Sequence, residues 1–304
     1  MEDPSLSGAA IIDLHTHGIA GLDTSMADPP AMLKIAGHHG RDGVAAILLS
    51  VYSGPMESMR AQISAVKEAM EGQASIPDSG GSAARQKGPA SILGVHLEGP
   101  FLNPAMKGAL DASSFLEPRE EAFRGLVEGF EPVIRTMTVA PELPGAERLI
   151  RAILKRGIMV NMGHSDATYA EADAGFRAGA GGITHLFNAM RPFHHREPGI
   201  AGFGLLNRDI YVEIIGDLRH LSMETMEIIL RLKKPEKILL VSDSVRETGL
   251  PPYTGEGESG EKLLGGSMTL PDAARLLIQR GLDEETIIRA MSANPREYLK
   301  GAGK

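Results

Sequence analysis

Six side chains of the kinds that bind metal ions stand at or just after the ends of predicted β-strands. They are His15, His17, Glu98, His164, His185 and Asp243. Imidazole nitrogen and carboxylate oxygen together suit zinc, iron or manganese. The chain has no cysteine, so thiolate ligands and a cysteine nucleophile are excluded. The sequence therefore predicts a centre for a divalent metal ion built from histidine and carboxylate.

Each candidate alone has an ordinary explanation, and only their combination is specific. His15 and His17 are two residues apart, so on an extended strand both side chains point to the same side. Glu98 closes an apolar strand, where a carboxylate costs free energy unless it is paired or binds a cation. Asp243 could either cap the following element or act as a general base. His96 is expected deeper in the protein, as a supporting or core residue.

Eight short aliphatic segments, separated by segments with helical spacing of apolar residues, must position these side chains. This alternation predicts an α/β fold, a closed (β/α)8 TIM barrel over residues 1–304 as one domain. Active sites of such barrels lie at the carboxyl ends of the strands. The predicted strands are AAIIDLH, VAAILLSVY, SILGVHLE, VIRTMTVAPE, IMVNMGH, GGITHLF, IYVEIIGD and KILLVSD.

Two long polar stretches interrupt the alternation of strands and helices. Residues 71–90 are rich in Gly, Ser and Pro, which indicates a mobile surface loop before the third strand. Residues 245–266 follow the eighth strand and are expected to cross the mouth of the barrel. Loops of this length are often functional.

Composition limits the partners and the location. The chain has 304 residues, 42% hydrophobic and 23% charged, with a net charge of −8 and no long basic run. This balance argues against nucleic-acid and membrane-surface binding and favours a small-molecule partner. No stretch approaches the roughly 18 apolar residues that span a bilayer. The first ten residues lack the pattern of a secretory signal, so a cytoplasmic location is expected.

Several motifs together resemble the amidohydrolase superfamily and, within it, the N-acetylglucosamine-6-phosphate deacetylases. The resemblance covers nearly the whole chain, and the combination of motifs is specific. The matching stretches are IIDLHTHG at 11–18, GVHLEGPFLNPAMKGA at 94–109, MGHSDAT at 162–168, THLFNAM at 184–190, REPGIAG at 196–202, VSDS at 241–244 and, more weakly, GSMTL at 266–270.

The resemblance implies a separate role for each metal-seeking residue. Glu98, His164 and His185 would hold the principal ion. His15 and His17 would help to hold a second ion, with Glu98 between the two, so one or two divalent ions are expected, zinc before iron or manganese. Asp243 matches the general base, which takes a proton from water and returns it to the departing amine.

The resemblance also implies which residues contact a phosphorylated N-acetyl amino sugar. They are Asn188, Ala189, Arg196 and His220. In relatives the matching arginine can reach across a dimer interface, so a homodimer is expected. Considered without the resemblance, Arg196 is a solvated loop charge.

Three departures from the family pattern leave the substrate open. Leu110 stands where relatives have a histidine near the acetyl group, and Leu218 replaces a usual glycine and could narrow the sugar pocket. The small β-sandwich domain that relatives build from both chain ends is expected to be absent. The alternatives are therefore hydrolysis of another N-acyl or cyclic amide, and a non-catalytic barrel that keeps the metal for binding or stability.

Overall fold

Eight parallel strands form the centre of the molecule in a computed structural model that describes residues 9–75, 88–251, 253 and 263–301. Each strand pairs with the next one along the chain, in the order β1 to β8. The strands are β1 Ile11–Thr16, β2 Val44–Tyr52, β3 Ser91–Glu98, β4 Ile134–Val139, β5 Met159–Met162, β6 Gly182–Ile183, β7 Tyr211–Ile215 and β8 Ile238–Val241. The number and order of the eight predicted strands are confirmed, but the sixth covers only Gly182–Ile183 of the predicted GGITHLF.

Helices connect the strands and cover the outside of the sheet. They are α1 Pro29–Arg41, α2 Met56–Ala74, α3 Glu120–Val127, α4 Ala146–Leu154, α5 Tyr169–Ala178, α6 Gly199–Leu206, α7 Met223–Leu232, α8 Leu270–Gln279, α9 Glu284–Ala290 and α10 Ala293–Leu299. Their starts follow local capping rules. Thr168, for example, forms a capping box with Glu171 at the start of α5. None of the described helices is long and apolar enough to cross a membrane.

The first and last strands meet at their carboxyl ends and close the sheet there. The N–H of Asp243 donates to the carbonyl oxygen of His15 at 2.9 Å, and the N–H of His17 donates to that of Ser244 at 2.7 Å. The side chain of Asp13 accepts a hydrogen bond from the Ser242 N–H at 3.2 Å, further into the barrel. Closure therefore fixes the backbone on both sides of the candidate metal ligands.

Apolar packing fills the two places where no chemistry is expected. The larger cluster lies between the strands and the surrounding helices. The smaller one joins residues from the amino-terminal parts of the strands, such as Ile12 and Leu239, to Tyr298 of α10. Helix α10 thus closes the end of the barrel opposite the candidate site.

The two predicted polar loops lie partly outside the described residues, which omit 76–87, 252 and 254–262. The prediction of a mobile loop was wrong at its start, because α2 continues to Ala74. The apolar residues Met59, Ile63 and Val66 bury one face of that helix, and the helix continues through Gly72 to Ala74.

Candidate active site

Glu98, His164 and His185 come together at the carboxyl end of the barrel. Glu98 ends β3, and the two histidines follow β5 and β6 by two residues each. Each Nε2 atom lies 3.1 Å from Glu98 Oε1, and the two Nε2 atoms are 3.2 Å apart. All three side chains are buried. The structure therefore brings together the three residues predicted to hold the principal ion.

His15 and His17 form a second group that shares Glu98 with the first. Their Nε2 atoms are 3.2 Å apart, and that of His17 lies 3.3 Å from Glu98 Oε2. Asp243 Oδ1 is 3.2 Å from His15 Nε2 and 3.7 Å from His17 Nε2. The phenol ring of Tyr52 stacks on His17 with ring centres 3.7 Å apart. The six predicted residues are thus one continuous cluster with Glu98 at its centre.

The donor atoms of both groups fit a metal ion. Nitrogen ligands about 2.0 to 2.1 Å from one tetrahedral ion are about 3.3 Å apart, close to the spacings seen here. His164 Nδ1 faces the carbonyl oxygen of Met106 at 2.9 Å and must donate to it, so Nε2 is the nitrogen left to bind an ion. His15 Nδ1 faces Glu213 Oε2 at 3.3 Å in the same way. The lone pairs of these histidine nitrogens point towards the Glu98 carboxylate. Because both are electron-rich, this arrangement is favourable only with a cation between them.

Three of the six residues have a left-handed backbone conformation, which residues other than glycine seldom adopt. The φ angles are 47° at His164, 29° at His185 and 49° at Asp243. Such a conformation costs roughly 1 to 3 kcal/mol per residue and persists only where neighbouring structure imposes it. Here, backbone hydrogen bonds from Asn103 N–H to His164 O and from Asp243 N–H to His15 O hold it. The turns re-aim these side chains into the barrel mouth.

The charges of the cluster shift its pKa values strongly. Burial lowers the pKa of His15 well below its usual value, which favours the neutral imidazole that binds metals. Burial alone would raise the pKa of Glu98, but His164, His17 and His185 outweigh it and hold that pKa well below normal. Burial, followed by the nearby charge of Glu98, raises the pKa of Asp243. Asp243 is thus the carboxylate of the cluster with the greater affinity for a proton.

A cavity of about 830 Å³ opens directly above the cluster. His17, Glu98, His164, His185 and Asp243 form part of its wall. The predicted substrate contacts Asn188, Ala189 and His220 line it as well. Of the residues predicted for the site, only His15 and Arg196 are missing from the wall, His15 because it lies beneath the surface with no exposed area.

Arg196 lies outside the cavity and is exposed, with its guanidinium 3.2 Å from His195 Nε2. Leu110 lines the cavity, as the motif comparison predicts. Leu218 does not line it, and instead packs against the main core with φ +56°. The expectation that Leu218 narrows the pocket is therefore wrong, and the left-handed backbone accounts for the usual glycine at this position.

His220 is held by a carboxylate that the sequence did not single out. Asp217 Oδ2 lies 3.0 Å from His220 Nδ1 and also accepts hydrogen bonds from the N–H and hydroxyl of Ser267. Burial alone would raise the pKa of Asp217, but its hydrogen bonds with His220 and Ser267 hold it well below normal. An ionised Asp217 keeps the proton on His220 Nδ1, which leaves Nε2 as the nitrogen available to a ligand.

Other residues of the site were also missed from the sequence. Glu213 is the one charged residue in the strand YVEII of β7, and a carboxylate within an apolar strand was an available signal. Tyr52 and Lys107 also line the cavity. Lys107 lies within the matching stretch at 94–109, which was an available signal, whereas Tyr52 has no distinctive sequence context. His96 is buried and bonded to Ser50 and Thr138, as expected for a supporting residue.

Fold and site together define a class. A (β/α)8 barrel with histidine and carboxylate ligands at the carboxyl ends of its strands, an aspartate beside them and a cavity above has the features of a metal-dependent hydrolase. Residues 9–302 match the amidohydrolase family.

The chain belongs to the amidohydrolase family and, within it, to the N-acetylglucosamine-6-phosphate deacetylase group. It is 30% identical to N-acetylgalactosamine-6-phosphate deacetylase of Escherichia coli O157:H7, over 98% of this chain and 79% of that protein. It is also 30% identical to N-acetylglucosamine-6-phosphate deacetylase of Lysinibacillus sphaericus, over 96% and 76% of the two chains.

Solved structures agree with this family assignment. N-acetylglucosamine-6-phosphate deacetylase of Thermotoga maritima superposes with a TM-score of 0.83 at 27% identity, over 96% of this chain and 78% of that one. A mutant of the Mycobacterium smegmatis enzyme, in complex with N-acetyl-D-glucosamine 6-phosphate, gives 0.84 at 26% identity, over 97% and 80%.

Proposed function

We propose that this chain is a metal-dependent deacetylase that hydrolyses the N-acetyl group of an N-acetyl amino sugar 6-phosphate. The observation that carries the proposal is the convergence of Glu98, His164, His185 and Asp243 on the floor of one cavity. The relatives named above act, by their names, on N-acetylglucosamine 6-phosphate or its galactosamine counterpart. Amide hydrolysis is also the chemistry that this donor set serves.

Metal binding is assigned to the two groups that share Glu98. Glu98, His164 and His185 would hold the principal ion, and His15 and His17 would hold a second with Glu98 between them and Asp243 beside them. When bound, a divalent ion supplies Lewis acidity that lowers the pKa of water and polarises an amide carbonyl. Zinc suits a nitrogen-rich set of this kind, and iron and manganese are the alternatives.

Asp243 is the residue proposed to move the proton. The Asp243 side chain is 13% exposed and lines the cavity, so its carboxylate can reach both water and a bound amide. As general base it accepts the proton of the attacking water, and as general acid it returns that proton to the departing amine. Burial favours the protonated carboxyl group and so assists the first transfer.

The cavity wall would orient the sugar and its phosphate. Asn188, Ala189 and His220 line the wall, and Lys107 adds a cationic side chain to it. Leu110 adds an apolar surface to the same wall, which favours a second candidate, hydrolysis of a bulkier N-acyl or cyclic amide. The two candidates share the metal chemistry and differ only in the ligand that fills the cavity.

Arg196 and the assembly state form a linked proposal. Arg196 is exposed and outside the cavity of its own chain. If it binds the substrate phosphate, a second copy must supply it, so the proposed enzyme is a homodimer with shared sites. The guanidinium offers the bidentate geometry that phosphate binding uses.

Acetate release tests the proposed activity. Metal-loaded protein is assayed with N-acetylglucosamine 6-phosphate, N-acetylgalactosamine 6-phosphate and unphosphorylated N-acetylglucosamine. The proposal expects turnover of at least one phosphorylated sugar with kcat/KM well above that of the unphosphorylated one. If none of the three sugars is turned over, the deacetylase assignment is rejected. A non-catalytic barrel is identified if the wild-type protein binds metal tightly but hydrolyses no amide, and if Asp243→Asn changes neither property.

A further inference from the structure

A chain of four buried polar side chains connects the second ligand group to the opposite end of the barrel. His15 Nδ1 lies 3.3 Å from Glu213 Oε2, and Glu213 Oε1 accepts a hydrogen bond from Asn161 Nδ2 at 2.6 Å. Asn161 Oδ1 in turn accepts a hydrogen bond from the Tyr298 hydroxyl at 2.5 Å. None of the four residues is more than 3% exposed, so water cannot easily replace these contacts.

Glu213 is an expensive residue at this position if it serves packing alone. Its side chain is enclosed by the barrel, with the residue only 3% exposed. Asp13 is buried nearby, which adds a second acid to the same interior. A neutral or apolar residue of similar volume would avoid the cost of removing a charge from water. The contacts of the Glu213 carboxylate must therefore account for the presence of an acid inside the barrel.

We propose that Glu213 is a positioning residue that fixes which nitrogen of His15 faces the second metal ion. Glu213 Oε2 lies 3.3 Å from His15 Nδ1, and the other carboxylate oxygen is already taken by the Asn161 amide, so Oε2 is the atom placed to accept the Nδ1 proton of His15. Nε2 then keeps its lone pair, which points towards Glu98, His17 and Asp243. The inference rests on the proposed function only in taking His15 as a metal ligand.

Asn161 and Tyr298 hold Glu213 in turn. The amide of Asn161 occupies the second carboxylate oxygen, so the carboxylate cannot rotate away from His15 without losing that bond. The Tyr298 hydroxyl fixes the orientation of the Asn161 amide by donating to its oxygen. Three hydrogen bonds thereby connect helix α10, which carries Tyr298, to His15 in the cluster of predicted metal ligands.

His17 provides an internal contrast with His15. Among the described residues its Nδ1 has no hydrogen-bond partner, and the ring is held by stacking on Tyr52 instead. Stacking fixes the ring plane but does not select a tautomer. His15 is therefore the histidine of this group whose tautomer is selected by a protein contact, and Glu213 provides that contact.

Zinc binding to metal-free protein tests this role without measuring catalysis. Wild type, Glu213→Gln and Tyr298→Phe are titrated with Zn²⁺ against a competing chelator, and His164→Asn identifies the principal site. Glu213→Gln is expected to weaken the second site about 10- to 100-fold, the usual range for a residue that orients a ligand, and to leave the principal site within about threefold. Tyr298→Phe is expected to weaken the second site less than about tenfold, because Asn161 still bonds Glu213.

Tyr211→Phe is the matched control for Tyr298→Phe. The two tyrosine rings are 5.1 Å apart, and Tyr211 is not one of the four residues in the chain of hydrogen bonds from His15 to Tyr298. It should bind both ions as wild type does. Thermal unfolding of the metal-free proteins gives a second readout, since Glu213→Gln should leave Tm unchanged or raise it by removing a buried acid, whereas a residue needed only for folding would lower it.

The possible results separate this inference from the proposed activity. A second site weakened selectively in Glu213→Gln supports the positioning role even if no sugar is deacetylated. The role is overturned if wild type binds a single ion, if Glu213→Gln binds both ions as wild type does, or if both sites weaken equally.

Discussion

Two regions of this barrel differ in how they are built. The metal end is the cluster of six predicted metal ligands, and the cavity rim is the set of predicted substrate contacts around it. At the metal end, all six predicted residues converge, and the backbone is held by strand ends and by the closure between β1 and β8. At the rim, His220 and Leu110 lie in loops, and Arg196 is exposed outside the cavity. The predicted metal ligands are therefore positioned by the barrel itself, whereas the residues of the rim are positioned by loops.

The largest effect is expected at the shared ligand of the metal end. Glu98→Gln removes the carboxylate that bridges both groups, so both ions should be lost. Loss of several kcal/mol of Lewis-acid stabilisation predicts a fall in kcat of at least about 10⁴-fold, measured by acetate release beside elemental analysis.

His96→Gln is the control for Glu98→Gln. His96 lies on the same strand, two residues earlier, and bonds Ser50 and Thr138 rather than a ligand atom. Its variant should keep the metal content of wild type. If Glu98→Gln keeps both ions while His96→Gln loses them, the assignment of ligands to the strand ends is wrong.

Asp243→Asn should produce the next largest effect. The amide cannot accept the water proton, and general acid–base catalysis contributes about 10² to 10⁴-fold. We expect kcat to fall by about 10³-fold while the principal ion remains bound. A rate within tenfold of wild type, at full metal content, would transfer the proton role to another residue.

At the rim, His220→Asn should act on binding more than on chemistry. Losing a hydrogen bond to a charged phosphate costs about 1.5 to 3 kcal/mol, which predicts a rise in KM of roughly 10- to 100-fold with kcat changed much less. Initial rates over a range of substrate concentrations separate the two constants. A fall in kcat with KM unchanged would place His220 in the chemistry of the metal end.

Subunit mixing sharpens the comparison by locating Arg196. Arg196→Ala and Asp243→Asn are each expected to be weakly active alone. If sites are shared, reassociated mixtures should recover about a quarter of wild-type activity, because half of the dimers are mixed and each has one intact site. Mixtures no more active than the separate variants would show that no subunit supplies this arginine to its partner.

The smallest effect is expected at Leu218, which lies near the rim in sequence but packs on the core. Leu218→Gly relieves a left-handed backbone worth roughly 1 kcal/mol and loses part of an apolar contact. The two changes largely cancel, so Tm should move by less than about 4 °C and KM by less than about twofold. A KM change above tenfold would return Leu218 to the substrate pocket.

The convergence of the six candidate ligands could be predicted from the sequence because its signals are local. Strand ends such as Leu97–Glu98 show an apolar run followed by a costly carboxylate, and parallel strands bring such ends to one face. Asn161 was beyond reach, because its role depends on Glu213, 52 residues further along the chain. Asp217 lies only three residues before His220, so that spacing was an available signal. The left-handed turns at His164 and Asp243 depend likewise on contacts made only after closure.

The prediction of one domain without an accessory β-sandwich stays a prediction, as does the number of bound ions. The structure supports the second ion through the 3.2 Å spacing of the His15 and His17 nitrogens. Both groups contact the Glu98 carboxylate, so we expect Glu98 to be the least replaceable residue of the cluster.

Elemental analysis and acetate release on one preparation test the central claim most directly. Protein purified without added metal, then treated with a chelator and reloaded with Zn²⁺, should bind up to two ions per chain. It should lose deacetylation of an N-acetyl amino sugar 6-phosphate on chelation and recover it on reloading. Hydrolysis that continues at full rate in metal-free protein, or tightly bound metal with no hydrolysis, would contradict the account.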